Sequence, residues 1–228
     1  MAEWWQGVCD QFVKCFIRED RYMLLLDGIG VTIKVTILAL IIGLILGFLI
    51  ALCNLSKNRV LKAIGGVYTD VIRGTPSVTQ LMIIYFVVFA SIHWAKWVIA
   101  AIAFGINSGA YVSEIIRAGI LSIDVGQMEA ARSLGIPYWK AMQKVVLPQA
   151  IRTMIPSIIN QFIITLKDTS ILSVIGFPEL VNAAKNVIAI NFKSFQVWLI
   201  VGIMYLVVIT ILSKIAKALE RRMNRGRK

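Results

Sequence analysis

Apolar residues in this chain come in long, nearly unbroken runs. Three runs, residues 35–53, 74–95 and 194–213, contain no charged residue, and each is near the ~20 residues that carry a helix across roughly 30 Å of hydrocarbon. A fourth, residues 97–113, extends past Glu114 toward Ile120. The fifth, residues 145–166, is weaker, because Pro148, Arg152, Pro156, Asn160 and Gln161 interrupt it. The pattern predicts an all-α chain with five transmembrane helices. Polar side chains at membrane depth find no partner in lipid, so those of the weak span are expected to face a cavity or another protein.

Between the runs at 97–113 and 145–166, and leading into the latter, lies the most polar stretch, "EAARSLGIPYWKAMQKVVLPQA", residues 129–150. Gln127 to Leu134 reads as a short helix, Gly135 fits the left-handed position that ends one, and Pro137 suits the first turn of the next. Residues 137–146 then form a second short helix before Leu147 and Pro148 lead back into the membrane. Ala130, Ala131 and Ser133 give a small face, and Glu129 and Arg132 offer directional charge pairing. Two readings stand: a plug that docks into another protein, or an amphipathic loop resting on lipid headgroups. Residues 4–26 mix Trp4, Trp5, Phe12, Phe16, Tyr22 and Leu24 with charges, which suggests an interfacial amphipathic helix.

Composition strengthens the membrane reading. Hydrophobic residues make up 58% of 228 and charged residues 16%, with a mean hydropathy of +0.79, which leaves no room for a sizeable soluble domain. Any catalytic domain is expected on another chain. Most of the 24 Lys and Arg residues fall in residues 54–73, residues 114–152 and the tail from 214. Those segments are therefore expected on the cytoplasmic side, with the N-terminus outside and the C-terminus inside. The net charge of +12 thus reads as topology rather than nucleic-acid binding, and "RRMNRGRK" as a tail touching anionic lipid. The opening "MAEWWQGVCD" lacks a basic region ahead of an apolar core, so the first span is expected to act as the insertion signal.

Bond-breaking chemistry finds no support. Cys9, Cys15 and Cys53 lack CxxC spacing and a histidine cluster, and six residues along one helix put Cys9 and Cys15 beyond disulfide geometry. The single histidine, His93, reads as an interfacial anchor beside Trp94 and Trp97. No nucleophile triad, phosphate loop or paired carboxylates appear. The chain is expected to be no enzyme and to bind no metal or cofactor.

Polar groups inside the spans carry more information. Asn160, Gln161, Thr165, Lys167, Asp168, Thr169 and Ser170 in one span, and Asn107, Ser108, Tyr111 and Glu114 in another, are expected to line a path. Lys167, Asp168 and Thr169 could instead form an ion pair and a cap holding a broken helix. Arg73, Thr75 and Pro76 are placed at the cytoplasmic entry of the second span, with Gln80 one turn deeper as a pathway candidate. Gly43 and Gly47 form GxxxG, a spacing that lets helices approach closely.

Glu129-Ala130-Ala131 followed by Gly135 and Leu147-Pro148 resembles the EAA loop of ATP-binding cassette (ABC) importer permeases. "RGTPSVTQL" (73–81), "GAYVSEIIRAGILSIDVGQMEAARSLG" (109–135), "LPQAIRTMIPSIINQFI" (147–163) and "LKDTSILSVIGFPEL" (166–180) are similar to the polar amino acid permease family over roughly residues 25–220. Ser77 and Ser113 depart from the bulky apolar residue and the alanine usual there. The resemblance implies the type I importer fold, a bacterial cytoplasmic membrane location and this organisation: an outer interfacial segment 1–27, a transmembrane domain 28–220 with its coupling loop about 124–148, and a basic tail 221–228. It also implies a dimer of ATP-binding subunits holding ATP and magnesium, a second permease subunit of the same or a homologous kind, an extracytoplasmic binding protein, and an amino acid substrate. Glu129, Ala130, Ala131 and Gly135 would couple to the ATPase. In the wider fold the substrate site draws on the spans that begin at residues 97 and 145, which singles out Ser108, Tyr111, Gln161, Thr165 and Asp168, with Glu114 and Gln80 as further pathway residues. Members carry arginine, histidine, glutamine, glutamate or cystine, and these motifs do not choose among them. A secondary transporter or channel needing no ATPase is the alternative.

Overall fold

The computed structural model describes residues 10–17, 20–92 and 94–224, and every regular element among them is helical. Trp4, Trp5, Cys9 and His93 lie outside the described residues, as do the last four residues of the tail. After a π-helical turn at Val13–Ile17 come α1 (Arg21–Leu55), α2 (Arg59–Arg73), and α3 (Ser77–Ile83), which continues as a π-helix over Ile84–Val88. Next are α4 (Lys96–Leu121), α5 (Val125–Ser133) and α6 (Tyr138–Ala141). A π-helical stretch, Met142–Val146, joins α6 to α7 (Leu147–Asp168), and a 3₁₀ helix, Thr169–Ile175, follows. Two more helices, α8 (Leu180–Asn191) and α9 (Ser194–Asn224), complete the described chain.

Four of these stretches are long and apolar enough to cross a membrane, and α2 with α3 makes a fifth if the bent pair is one span. The expected count holds on that condition, but the boundaries differ. The first helix begins at Arg21 rather than residue 35, taking in residues assigned to the interfacial segment. Its interrupting Lys34 lies 5.5 Å from the centre of the Trp97 ring, an arrangement that accommodates a cation without ending the helix. Residues 59–73, expected as a loop, are helical. The Asn58 side chain caps α2 by accepting from the Val60 amide at 2.8 Å, and the helix's mixture of exposed apolar and exposed charged positions hides it from a search for uncharged runs. The second span ends at Val88 rather than residue 95, and α9 runs through Lys214, Lys217 and Arg221 into the expected tail.

Proline acts differently at two sites. Pro76 stands just before α3, where α2 and α3 meet at 107°, while Pro156 sits inside an unbroken α7. Proline removes one amide donor and crowds the preceding turn. At Pro76 the adjoining Gly74 and Thr75 let the chain turn.

The tightest packing joins α1 to α4. A Cβ added to Gly47 would lie 2.6 Å from Val112 Cγ1 and 2.9 Å from the Gly109 carbonyl, and one on Gly43 would lie 2.9 Å from Ser108 Cβ. Gly105 returns the arrangement, since its Cβ would meet Ile42 Cγ2 at 2.5 Å. The GxxxG spacing of the first span therefore forms a seam within the chain, where backbones approach because no side chains intervene. One buried cluster groups Val35, Ala39, Leu81, Ala100, Phe104, Leu172 and Phe177; a second joins Leu25 to Leu180, Ala184, Val187, Val197 and Val201. Between them the Leu180 amide donates to Thr32 Oγ1 at 3.3 Å. At the start of α8 the fully buried Glu179 carboxylate accepts from the amides of Val181 and Asn182 at 2.8 and 2.7 Å, satisfying two amides that lack partners within the helix.

Candidate functional site

Helices α2, α4 and α7 enclose a cavity of about 740 Å³, walled by Arg73, Tyr111, Glu114, Ile115, Met154, Ser157, Asn160 and Gln161 among others. Its charged centre is Glu114. Arg117, one turn on, grips the carboxylate with two bonds, Nε to Oε1 at 3.1 Å and Nη2 to Oε2 at 2.9 Å. Arg73 approaches the same carboxylate from the end of α2, with Nη1 3.8 Å from Oε2, and its guanidinium lies 5.7 Å from the centre of the Tyr111 ring. Arg73 and Glu114 face the cavity beside amide and hydroxyl groups, and Arg117 lies outside its wall. Such a set can hold a polar solute carrying a carboxylate through charge-assisted bonds.

The expected pathway residues divide. Tyr111, Glu114 and Gln161 line the cavity. Ser108 is buried against Gly43 in the seam instead, and its hydroxyl has no partner. Thr165 is buried one turn beyond Gln161, whose Nε2 donates to Thr165 Oγ1 at 3.4 Å. Asp168, at the far end of α7, is outside the cavity wall, and the Thr169 hydroxyl donates to the Leu166 carbonyl at 2.7 Å where α7 gives way to the 3₁₀ helix. Gln80 is buried and engaged with the end of α2 rather than with the cavity. Arg117 was not among the expected residues, although its three-residue spacing from Glu114 was a usable signal. Arg73, expected at the entry of the second span, stands at the end of α2 just ahead of α3 and also lines the cavity.

The second candidate region is the segment from α5 to α7. Asp124 caps α5 by accepting from the Gly126 amide at 2.6 Å. At the other end Gly135 adopts φ +77°, its amide donates to Arg132 O at 3.0 Å, and the Ile136 amide donates to Ala131 O at 3.2 Å. These two bonds form a Schellman ending with glycine at its left-handed position. Pro137 then caps α6, and Gln149 ties the segment to α7 by donating to Gln127 Oε1 at 3.2 Å. Glu129 and Ala130 are exposed, whereas Ala131 is buried within the segment along with Ala141. The alanine pair therefore does not present one common face. What does stand out, unforeseen from the spacing, is a set of bare apolar side chains: Leu134 is 81% exposed, Trp139 64% and Tyr138 56%.

A profile of the binding-protein-dependent transport system inner membrane component matches residues 43–225. The chain belongs to this family. The permease is 42% identical over 201 residues to the arginine transport system permease protein of Bacillus subtilis, covering 87% of this chain and 92% of that one. It is 39% identical over 203 residues to the glutamine transport system permease protein of Escherichia coli, covering 88% and 93%. Among solved structures, a chain of an amino acid ABC transporter crystallised with histidines superposes with a TM-score of 0.85 at 39% identity, covering 91% of this permease and 98% of that chain. The fold is that of ABC importer permeases, and the family places the permease in the bacterial inner membrane.

Proposed function

We propose that this permease is the membrane subunit of an ATP-driven importer of polar amino acids, that the cavity around Glu114 is its substrate path, and that the segment from α5 to α7 transmits motion from an ATP-hydrolysing partner. The observation that carries this reading is a charged cavity in an otherwise apolar chain: Arg73 and Glu114 face about 740 Å³ of space between α2, α4 and α7, and Arg117 grips the same carboxylate from outside the cavity wall. Relatives named for glutamine and arginine transport support an amino acid as the solute.

The proposed orientation puts the start of α1 outside and the end of α9, with the α5–α7 segment, in the cytoplasm. There Leu134, Tyr138 and Trp139 insert into a groove of the ATPase as apolar anchors, flanked by Glu129 and Arg132. Gly135 sets the turn between the two short helices, Ala130 allows close approach, and Ala131 packs beneath it. ATP and magnesium are held by the partner subunits. Two permease subunits, of one kind or of two homologous kinds, then rock as rigid bodies so that the cavity opens alternately to each side, and an external binding protein delivers the solute.

The permease is reconstituted in liposomes with and without its ATP-hydrolysing partner and binding protein. Uptake of labelled glutamine or arginine is expected only with all components and ATP. Uptake driven by a proton gradient with no ATPase present overturns the reading and favours a secondary transporter.

A further inference from the structure

We infer that Gln80 and Asn107 form a positioning brace that locks the break between α2 and α3 onto α4 and thereby sets Arg73 in the cavity. This inference rests on the reading of the cavity as the substrate path.

The break leaves the last carbonyls of α2 without helical partners, and lipid offers none. Gln80 takes up that role: its Nε2 donates to Ile72 O at 2.6 Å, to Thr75 O at 3.1 Å and to Thr75 Oγ1 at 2.8 Å. Its Oε1 accepts from Asn107 Nδ2 at 2.9 Å. The direction of the amide follows from its partners, since carbonyl oxygens only accept and Nε2 must face them. Two hydrogens are thus shared among three acceptors. Gln80 is 8% exposed and has no donor hydrogen left to offer a solute.

The placement is specific. Ile72 and Thr75 stand on either side of Arg73 in the chain, so the brace grips the backbone that carries the guanidinium. Asn107, Tyr111 and Glu114 follow a spacing of four and three residues along α4, one helical stripe, and the last two are the groups that Arg73 meets. The Arg73–Glu114 contact at 3.8 Å, with the arginine side chain 47% exposed, is too weak to fix the break by itself. The buried amide pair supplies the order that the ion pair lacks.

The experiment uses the complete transporter in liposomes, with labelled glutamine and labelled arginine as probes, and compares Asn107→Ala, Asn107→Leu, Gln80→Glu and Arg73→Ala. The two Asn107 variants cut the tie to α4 and leave the cap on α2. They are expected to raise the half-saturating concentration about tenfold, the order of one buried hydrogen bond, and to lower the melting temperature less than Gln80→Glu does, since the cap on α2 stays in place. Spin labels on Val71→Cys and Leu121→Cys in a cysteine-free background should show the α2–α4 distance broadened. Gln80→Glu still accepts from Asn107 but cannot donate to Ile72 O and Thr75 O, so it should lower the melting temperature as well. Unaltered half-saturation in both Asn107 variants, alongside an impaired Arg73→Ala, overturns the brace. An altered preference between the two solutes with an unchanged distance also overturns it, because Asn107 then touches the solute itself. Normal transport by Arg73→Ala overturns the cavity reading instead.

Discussion

The segment from α5 to α7 and the cavity between α2, α4 and α7 are both polar islands in an apolar chain, yet they are built by different means. In the segment, neighbours in sequence do the work: Asp124 caps Gly126, Gly135 turns the chain at φ +77° and Pro137 starts the next helix. In the cavity, the decisive neighbours are far apart, Arg73 from α2 meeting Glu114 from α4, with Gln161 from α7 beside them. Local rules make the first region tolerant of events elsewhere. The second depends on how the whole bundle packs.

The contrast can be broken most severely at the seam. Gly47→Ala touches no cavity residue, but its Cβ must displace Val112 Cγ1 and the Gly109 carbonyl, and such overpacking costs about 1–3 kcal/mol. The melting temperature of the detergent-solubilised permease should fall by several degrees and solute binding should fail with it. Unchanged melting would mean that the cavity does not depend on the seam. Next comes Trp139→Ala combined with Leu134→Ala, which removes two exposed anchors without disturbing the bundle. Affinity for the ATP-hydrolysing partner should drop at least about thirtyfold, given about 2 kcal/mol for an anchor at the centre of an interface, while melting stays constant. Co-purification at wild-type yield would count against that docking face.

A smaller effect is expected from Gly135→Ala. Space around this glycine is open, so the penalty is backbone strain alone, about 1–2 kcal/mol for a side chain in the left-handed region. Membrane insertion should be normal and the number of solutes moved per ATP reduced; a normal ratio would contradict the coupling role. The smallest shift belongs to Glu114→Gln. Its arginine partners are about two-fifths to one-half exposed, and such pairs contribute under about 1 kcal/mol each. A change of about threefold in half-saturating solute, shrinking as salt is raised, is expected from uptake curves at several ionic strengths.

Legibility in sequence followed the same division. The turn at Gly135 and the short helix before it could be read directly because each rests on residues within a turn of one another, whereas the expected second short helix does not end before Pro148 but runs on in one helical stretch, Tyr138–Ile175. Five spans are legible in the sequence, the second on the condition that α2 and α3 are one bent span, but α2 itself is not, since Lys62, Asp70 and Arg73 interrupt its apolar positions and make residues 59–73 look like a loop. That miss also concealed the arginine of the cavity wall. Ser108 was expected to face the path because it shares a rough stripe with Tyr111; the seam claims it, and only the partner glycines on α1 reveal that. Buried Glu179 escaped notice because it resembles any acidic residue in a connecting segment until Thr32 and α8 are packed around it.

At the seam, Ala39, Gly43 and Gly47 leave too little clearance for α1 to slide along α4. Shear between these two helices is therefore barred, and with the α2–α3 break braced onto α4, rearrangement is left to the other connecting segments. A pair of probes placed across α1 and α4 would keep a constant separation through the transport cycle, giving an internal ruler against which every other displacement in the permease can be measured.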